Sequence, residues 1–163
     1  MAELTEPILV LGLGNLLLGD DAVGLRLLEE LQRAGDPVIE FLDGGTQGLA
    51  LLGYLAGRRS VLVLDAVGLG APPGSVHVLR AEAVHRLGAR HAATAHEGNA
   101  RELLAALWLL ENPAPDVTVV GVEPARMRTG IGLSAEVEAA IPDAAGRAAA
   151  ILQEMRHVSG HSG

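Results

Sequence analysis

An unbroken apolar run, Ile8-Leu9-Val10-Leu11, leads into a glycine turn that ends on two acids, Gly12-Leu13-Gly14-Asn15-Leu16-Leu17-Leu18-Gly19-Asp20-Asp21. A strand that is apolar at every position suits burial on both faces, the situation of a parallel sheet covered by helices. The two acids then decide against the ligand that such a turn often holds. Gly14 and Gly19 have the G-x-x-x-x-G spacing of a phosphate-binding loop, but the next two positions, Lys and Ser or Thr in that loop, are both Asp. The dinucleotide pattern G-x-G-x-x-G fails too, because Leu17 occupies its third glycine position. Carboxylates at this place repel a pyrophosphate and attract a metal ion or a protonated group.

The rest of the chain alternates strands and helices. Asp20 or Asp21 can cap a helix running to about Arg33, with Val23, Leu27 and Leu31 on one face. Residues 38–42 read as a second strand that stops at Asp43-Gly44-Gly45-Thr46, and a short helix follows through Leu52 and Tyr54. Residues 60–67 are the third strand, residues 75–79 a shorter one suited to an antiparallel edge, and residues 117–122 another. Residues 99–110 carry Leu103, Leu104, Leu107 and Leu110 at helical spacing, whereas residues 85–96 read as a loop. Ser134 starts a C-terminal helix to about Arg156, which Pro142 is expected to kink or split. Residues 157–163 read as a frayed tail on a single domain spanning 1–163. The βαβ rhythm predicts a three-layer α/β sandwich of phosphorylase/hydrolase-like type, with a mostly parallel twisted sheet of about five strands flanked by helices.

Composition narrows the partners. The 163 residues include one Phe, one Tyr and one Trp, which leaves an aliphatic core and no platform for stacking single-stranded nucleic acid. Lys and Arg total 12 against 20 Asp and Glu, and the net charge of −8 disfavours a phosphate backbone as partner. With no cysteine there is no disulfide and no thiolate metal site. The acidic start Met1-Ala2-Glu3-Leu4-Thr5-Glu6-Pro7 is unlike a signal peptide, and no apolar run is long enough to span a bilayer, so cytoplasmic residence is the expectation.

In an α/β sheet, ligands bind at the carboxyl ends of the strands. Asp20 and Asp21, Asp43 and Asp65 all fall at such ends. Asp65 closes the run Val61-Leu62-Val63-Leu64 and either caps a turn or faces a cleft, because a buried carboxylate needs a cation, hydrogen bonds or solvent. Asp-Gly-Gly is an ordinary turn sequence, which gives Asp43 a structural reading too. Capping accounts for one of Asp20 and Asp21 but not readily for both. His157 and His161 lie in the tail, His85 and His91 in a polar Arg-containing stretch, and His77 alternates with Val76 and Val78 and so faces away from the core. His96 follows Ala92-Ala93-Thr94-Ala95 and precedes a helix. It is either a solvated or capping residue or, with two carboxylates, part of an oxygen/nitrogen site for a divalent transition metal.

These blocks resemble those of the maturation endopeptidases of nickel–iron hydrogenases over nearly the whole chain. The resemblance rests on Gly12 to Asp21, on Leu42-Asp43-Gly44-Gly45-Thr46, on Leu64-Asp65-Ala66, on Thr94-Ala95-His96-Glu97, and on Val120-Gly121-Val122-Glu123-Pro124 with Ile131-Gly132-Leu133-Ser134. It implies that Asp21, Asp65 and His96 bind nickel and that Asp43 is a functional acid near the cleft. The chain departs from the family pattern at Ala22-Val23-Gly24, where many relatives have a glycine first, and at Asn99.

The resemblance further implies one cut near the C-terminus of the hydrogenase large-subunit precursor after nickel insertion. The nickel is then supplied by that precursor, with other divalent ions able to take its place in vitro, and the enzyme is a monomer. A water activated by nickel or by a carboxylate attacks the peptide carbonyl, which makes Asp21, Asp65 and Asp43 the catalytic candidates and Asp43 the candidate general base. The absence of cysteine, of G-x-S-x-G and of H-E-x-x-H excludes the common nucleophile and zincin arrangements. Two other readings stay open from the sequence: a nucleotide-binding α/β domain and a non-enzymatic nickel chaperone with the same ligands.

Overall fold

The apolar runs pair into one five-stranded sheet in this computed structural model, which describes residues 7–80, 82–89, 98–111, 113–125 and 127–160. Strand β1 spans Ile8–Leu13, β2 Ile39–Gly45, β3 Ser60–Ala66, β4 Val76–Arg80 and β5 Asp116–Val122. Their spatial order is β2-β1-β3-β5-β4. Four strands run parallel, and β4 closes one edge antiparallel to β5, with Val76 opposite Val122 and Arg80 opposite Thr118. The edge strand expected from the alternation of residues 75–79 is thus present.

The helices are α1 Val23–Ala34, α2 Leu52–Leu55, α3 Glu82–Ala89, α4 Gly98–Leu110 and α5 Ala135–Gly160. Because side chains on a strand alternate between faces, β1 sends Ile8 and Val10 to one side and Leu9, Leu11 and Leu13 to the other. The first side packs on α1 through Val23, Leu27 and Leu31 and on α5 through Val137, Ile141, Ala144 and Ile151. The second packs on α4 through Leu103, Leu104 and Leu107, on Val84 of α3, and on Leu51 and Leu55. This is the three-layer arrangement that the βαβ rhythm calls for, with the scarce aromatics replaced by Leu, Val and Ile. Among the described residues no helix is long and apolar enough to cross a membrane.

Four local expectations are corrected. Residues 85–89, read as part of a loop, belong to α3, whose Val84 is fully buried, and residues 90–96 of that loop lie outside the described residues. Pro142 does not split α5, which continues as one element from Ala135 to Gly160 and takes in residues read as tail. A proline removes only one intrahelical donor, and the anchors on both sides of it, Ile141 and Ala144, sit in the core. Asp20 and Asp21 belong to a short 3-10 helix, Gly19–Ala22, and the N-cap of α1 is Ala22. Strand β2 continues through Asp43-Gly44-Gly45 instead of stopping at Leu42, since pairing with β1 overrides the turn preference; the ladder absorbs it with a register shift between Gly12 and Leu13.

Gly24, in the first turn of α1, sets how close that helix comes to the sheet. A Cβ there would stand 2.4 Å from the Leu13 carbonyl oxygen and 2.3 Å from that of Leu64, so the helix rests on the ends of β1 and β3 with no room for a side chain. Gly24→Ala should therefore lower stability by about 1–3 kcal/mol or more through overpacking, read as a lower urea midpoint at unchanged m-value.

Candidate active site

The strand order fixes where a crevice must open. From β1 the chain turns to one side for β2, then crosses back to the other side of β1 for β3. The connections leaving the carboxyl ends of β1 and β3 therefore part at this seam, the topological switch point where open α/β sheets bind their ligands. Asp21 comes from the loop after β1, and Asp65 is the penultimate residue of β3. The structure brings these two carboxylates together at the seam.

The loop that delivers Asp21 is held by its own amides. Asn15 N–H donates to Asp21 Oδ2 at 2.8 Å, Leu17 N–H to Asn15 Oδ1 at 2.9 Å, and Leu18 N–H to the Asn15 carbonyl at 3.1 Å. Gly14 N–H reaches the Gly45 carbonyl, Gly19 N–H the Gly130 carbonyl, and Asp21 N–H the Leu18 carbonyl. Six amides that a phosphate cradle would need free are thus committed internally, which removes the physical basis of a nucleotide loop. Gly14 makes the fold-back possible. Its φ is +140°, and a Cβ would lie 2.0 Å from the Asp21 carbonyl oxygen. Asp21 itself is 6% exposed.

Asp65 accepts a hydrogen bond from the Ala66 amide at 2.8 Å. That one donor does not compensate its surroundings: burial, reinforced by the negative charge of Asp21, pushes its carboxyl up to about 8. The proton is therefore held on Asp65 well above the ordinary carboxylate range. A raised carboxyl next to a like charge in a strand-end crevice is a common signature of a reactive site.

The other candidates divide. Asp43 lies at the same carboxyl edge, opposite Gly12 in the β1–β2 ladder; it is exposed, and its Oδ1 accepts the Gly45 amide at 3.0 Å in a turn-like contact. His96 falls outside the described residues, two positions before α4 begins. Among the described residues no three His, Cys, Asp or Glu side chains gather in a way that would hold a metal ion. Asp20, 1% exposed, is turned away to a different task. It accepts the Ala125 amide at 2.8 Å, the Ser134 amide at 2.7 Å and the Ser134 hydroxyl at 2.9 Å, which ties the loop before α5 to the loop after β1.

Sequence reasoning gave Glu123 no role. This buried carboxylate, just past β5, accepts the Leu69 amide at 2.8 Å, the Ala71 amide at 2.9 Å and His77 Nε2 at 3.2 Å. It pins the segment that follows Asp65. His77 does face away from the core shared by Val76 and Val78, as its alternation indicates, but onto Glu123 instead of solvent. The available signal was an acid directly ending an apolar strand, the same signal that singled out Asp65.

Fold and seam define an α/β protein with a carboxylate site at its switch point, and comparison with known proteins gives the class. A family profile described as hydrogenase maturation protease matches residues 25–151. The Hydrogenase 2 maturation protease of Escherichia coli is 38% identical over 150 residues, covering 90% of this chain and 91% of that one. The solved structure of the hydrogenase maturating endopeptidase HybD from E. coli superposes with a TM-score of 0.82 at 37% identity, covering 91% and 93%. The [NiFe] hydrogenase maturation protease HybD from Thermococcus kodakarensis gives 0.74 at 26% identity, covering 88% and 97%. The chain belongs to the hydrogenase maturation protease family. It is a peptidase.

Two outcomes follow from this geometry. Asp65 is raised in the folded state, from an ordinary 3.8 to about 8, so the native protein keeps a proton that the unfolded chain gives up. Its contribution to stability is intact below about pH 4 and is lost as pH rises through about 8. Urea midpoints of the metal-free protein should fall across that window relative to Asp65→Asn, which removes this part of the slope. Asp20→Ala leaves two amides and a hydroxyl without their acceptor and should cost about 2–5 kcal/mol, whereas Asp20→Asn, which keeps acceptor oxygen, should cost less.

Proposed function

We propose that this protein removes the C-terminal extension of the large-subunit precursor of a nickel–iron hydrogenase after nickel insertion, and that it recognises the nickel carried by that precursor. The observation that carries the reading is the pair Asp21 and Asp65 at the switch point, in a chain of the hydrogenase maturation protease family. Two close carboxylates that raise each other's cost of ionisation form a site which a divalent cation relieves, since a cation nearby favours the charged form. Oxygen donors with an imidazole suit nickel, and His96 is the residue proposed to complete the set. The metal is cargo of the substrate, so the enzyme needs no resident ion.

In this reading Asp21, Asp65 and His96 anchor the substrate through its nickel and place the scissile peptide at the carboxyl edge of the sheet. Asp43 Oδ1 is engaged with Gly45, while Oδ2 makes no hydrogen bond among the described residues and is left for water. Asp43 takes a proton from the attacking water as its oxygen bonds to the peptide carbon, and that proton goes to the amine as the C–N bond breaks. The enzyme acts as a cytoplasmic monomer in this reading.

A second chemistry is favoured by one observation. Asp65, raised to about 8 by burial and by Asp21, is a carboxyl that holds its proton next to a second carboxyl group. Such a pair suits aspartyl-type hydrolysis. The two readings part on the metal. A nickel-loaded precursor should lose the mass of its extension on incubation with the enzyme, and a nickel-free precursor should stay intact even when unfolded. Cleavage of the unfolded nickel-free precursor would remove nickel recognition and leave the acid–base pair. His96→Ala should abolish processing at unchanged thermal midpoint, and Asp65→Ala should abolish processing while the protein stays folded. Asp43→Asn should keep precursor binding and slow the cut by about 10²-fold or more; full activity would reduce Asp43 to a turn residue.

A further inference from the structure

A cavity of about 650 Å³ opens where the loops after β1 and β5 meet the segment before α5, walled by Gly19, Asp20, Arg128, Gly130, Ile131 and Ser134 among others. Gly19 and Asp20 follow β1 and Ala125 follows β5, so the cavity opens at the same carboxyl edge of the sheet as Asp21 and Asp65. Ile131 on its wall is 88% exposed, and Leu17, bonded to the wall residue Gly130, and its neighbour Leu16 are each 59% exposed. They come from two loops separated by more than a hundred residues. Those loops are bonded together where Gly130 N–H donates to the Leu17 carbonyl at 2.7 Å and Gly19 N–H to the Gly130 carbonyl at 2.9 Å. The Asp20 clamp on Ser134 and Ala125 fixes the same junction from below.

This construction is unlike an incidental exposed leucine. The rim is pre-ordered by backbone bonds and a buried carboxylate, which lowers the entropic cost of binding to it. Its floor is bare backbone: Gly130 and Gly132 hold φ of +150° and +108°, and a Cβ at either would meet nothing within 4 Å. Only glycine adopts these angles readily, and the missing side chains leave space for another main chain to approach. A peptidase must lay an extended substrate segment across its reactive groups, and this surface, at the same carboxyl edge of the sheet, has Ile131 and the neighbouring Leu17 in solvent and an open floor.

We propose that the Leu17/Gly130 junction, with Leu16, Leu17, Ile131 and the glycine-floored cavity, is the docking surface for the segment of the precursor that flanks the scissile bond, bound extended with apolar side chains against Leu17 and Ile131. The proposal rests on the peptidase reading above for the identity of its occupant. It places specificity in an apolar contact additional to any contact with the metal.

The test uses the full chain and a nickel-loaded large-subunit precursor. Leu17→Asp, Ile131→Asp, the double variant and Ile131→Ser are compared with Leu110→Asp, a 68% exposed leucine on α4 that does not line the cavity. Each rim variant should raise both the Kd for the precursor and KM by about 10-fold or more, the effect of losing one buried aliphatic side chain. The value of kcat at saturation and the thermal midpoint should stay near wild type, and Leu110→Asp should change nothing. An unchanged Kd in the folded double variant, or an equal loss in Leu110→Asp, overturns the docking surface. If the wild-type protein binds the precursor without cutting it, the proteolytic reading fails while the Kd comparison still decides the surface. A precursor that is neither bound nor cut overturns both.

Discussion

Two carboxylates held near each other at the seam between β1 and β3 are a cost that folding alone gives no reason to accept. Among the described residues Asp65 has one amide donor and a carboxylic neighbour, and its carboxyl is driven up to about 8. The surrounding structure is built to keep the pair in place regardless. Gly24 lets α1 rest on the ends of both strands, Gly14 folds the loop so that Asn15 can hold Asp21, and Glu123 fixes the segment beyond Asp65. Local rules are broken here and satisfied elsewhere, the pattern expected where function opposes stability.

The same loop explains why a strand–glycine–helix opening need not hold a nucleotide. In a phosphate cradle, free amides and a helix N-terminus face the anion. Here the amides of residues 14, 15, 17, 18, 19 and 21 are all used within the protein, and the freed function of the turn is to present an acid. The geometry of a familiar motif is thus kept while its electrostatic sign is inverted.

Much of this was legible in the chain because it depends on local chemistry. Strand β1 was readable from four consecutive aliphatics, β4 as an antiparallel edge from its alternation, and the face of α1 from Val23, Leu27 and Leu31. The positions of Asp21 and Asp65 at the carboxyl edge followed from strand ends alone. Long-range chemistry was not legible. Asp20 looked like a helix cap because caps are local, whereas its actual donors, Ala125 and Ser134, lie 105 and 114 residues away. Helix α3 was hidden because its eight residues carry a His, an Arg and a Gly, and its placement is secured by Val84 in the core instead of by propensity. Strand β2 outran its turn sequence because ladder bonds to β1 outweigh the preference of Asp-Gly-Gly.

Asp65 and Glu123 show where sequence pattern stops and structure must decide. Each is an acid at the end of an apolar parallel strand, on neighbouring strands β3 and β5, and by pattern the two are alike. Glu123 is answered by two amides and an imidazole, and it serves as a structural post. Asp65 is answered among the described residues by one amide and opposed by Asp21, so those residues leave its demand for a positive partner unmet. Reactivity at a strand end is therefore set by the count of donors that the rest of the fold supplies. The carboxylate that the fold leaves under-supplied is the one available to an external cation or a substrate proton.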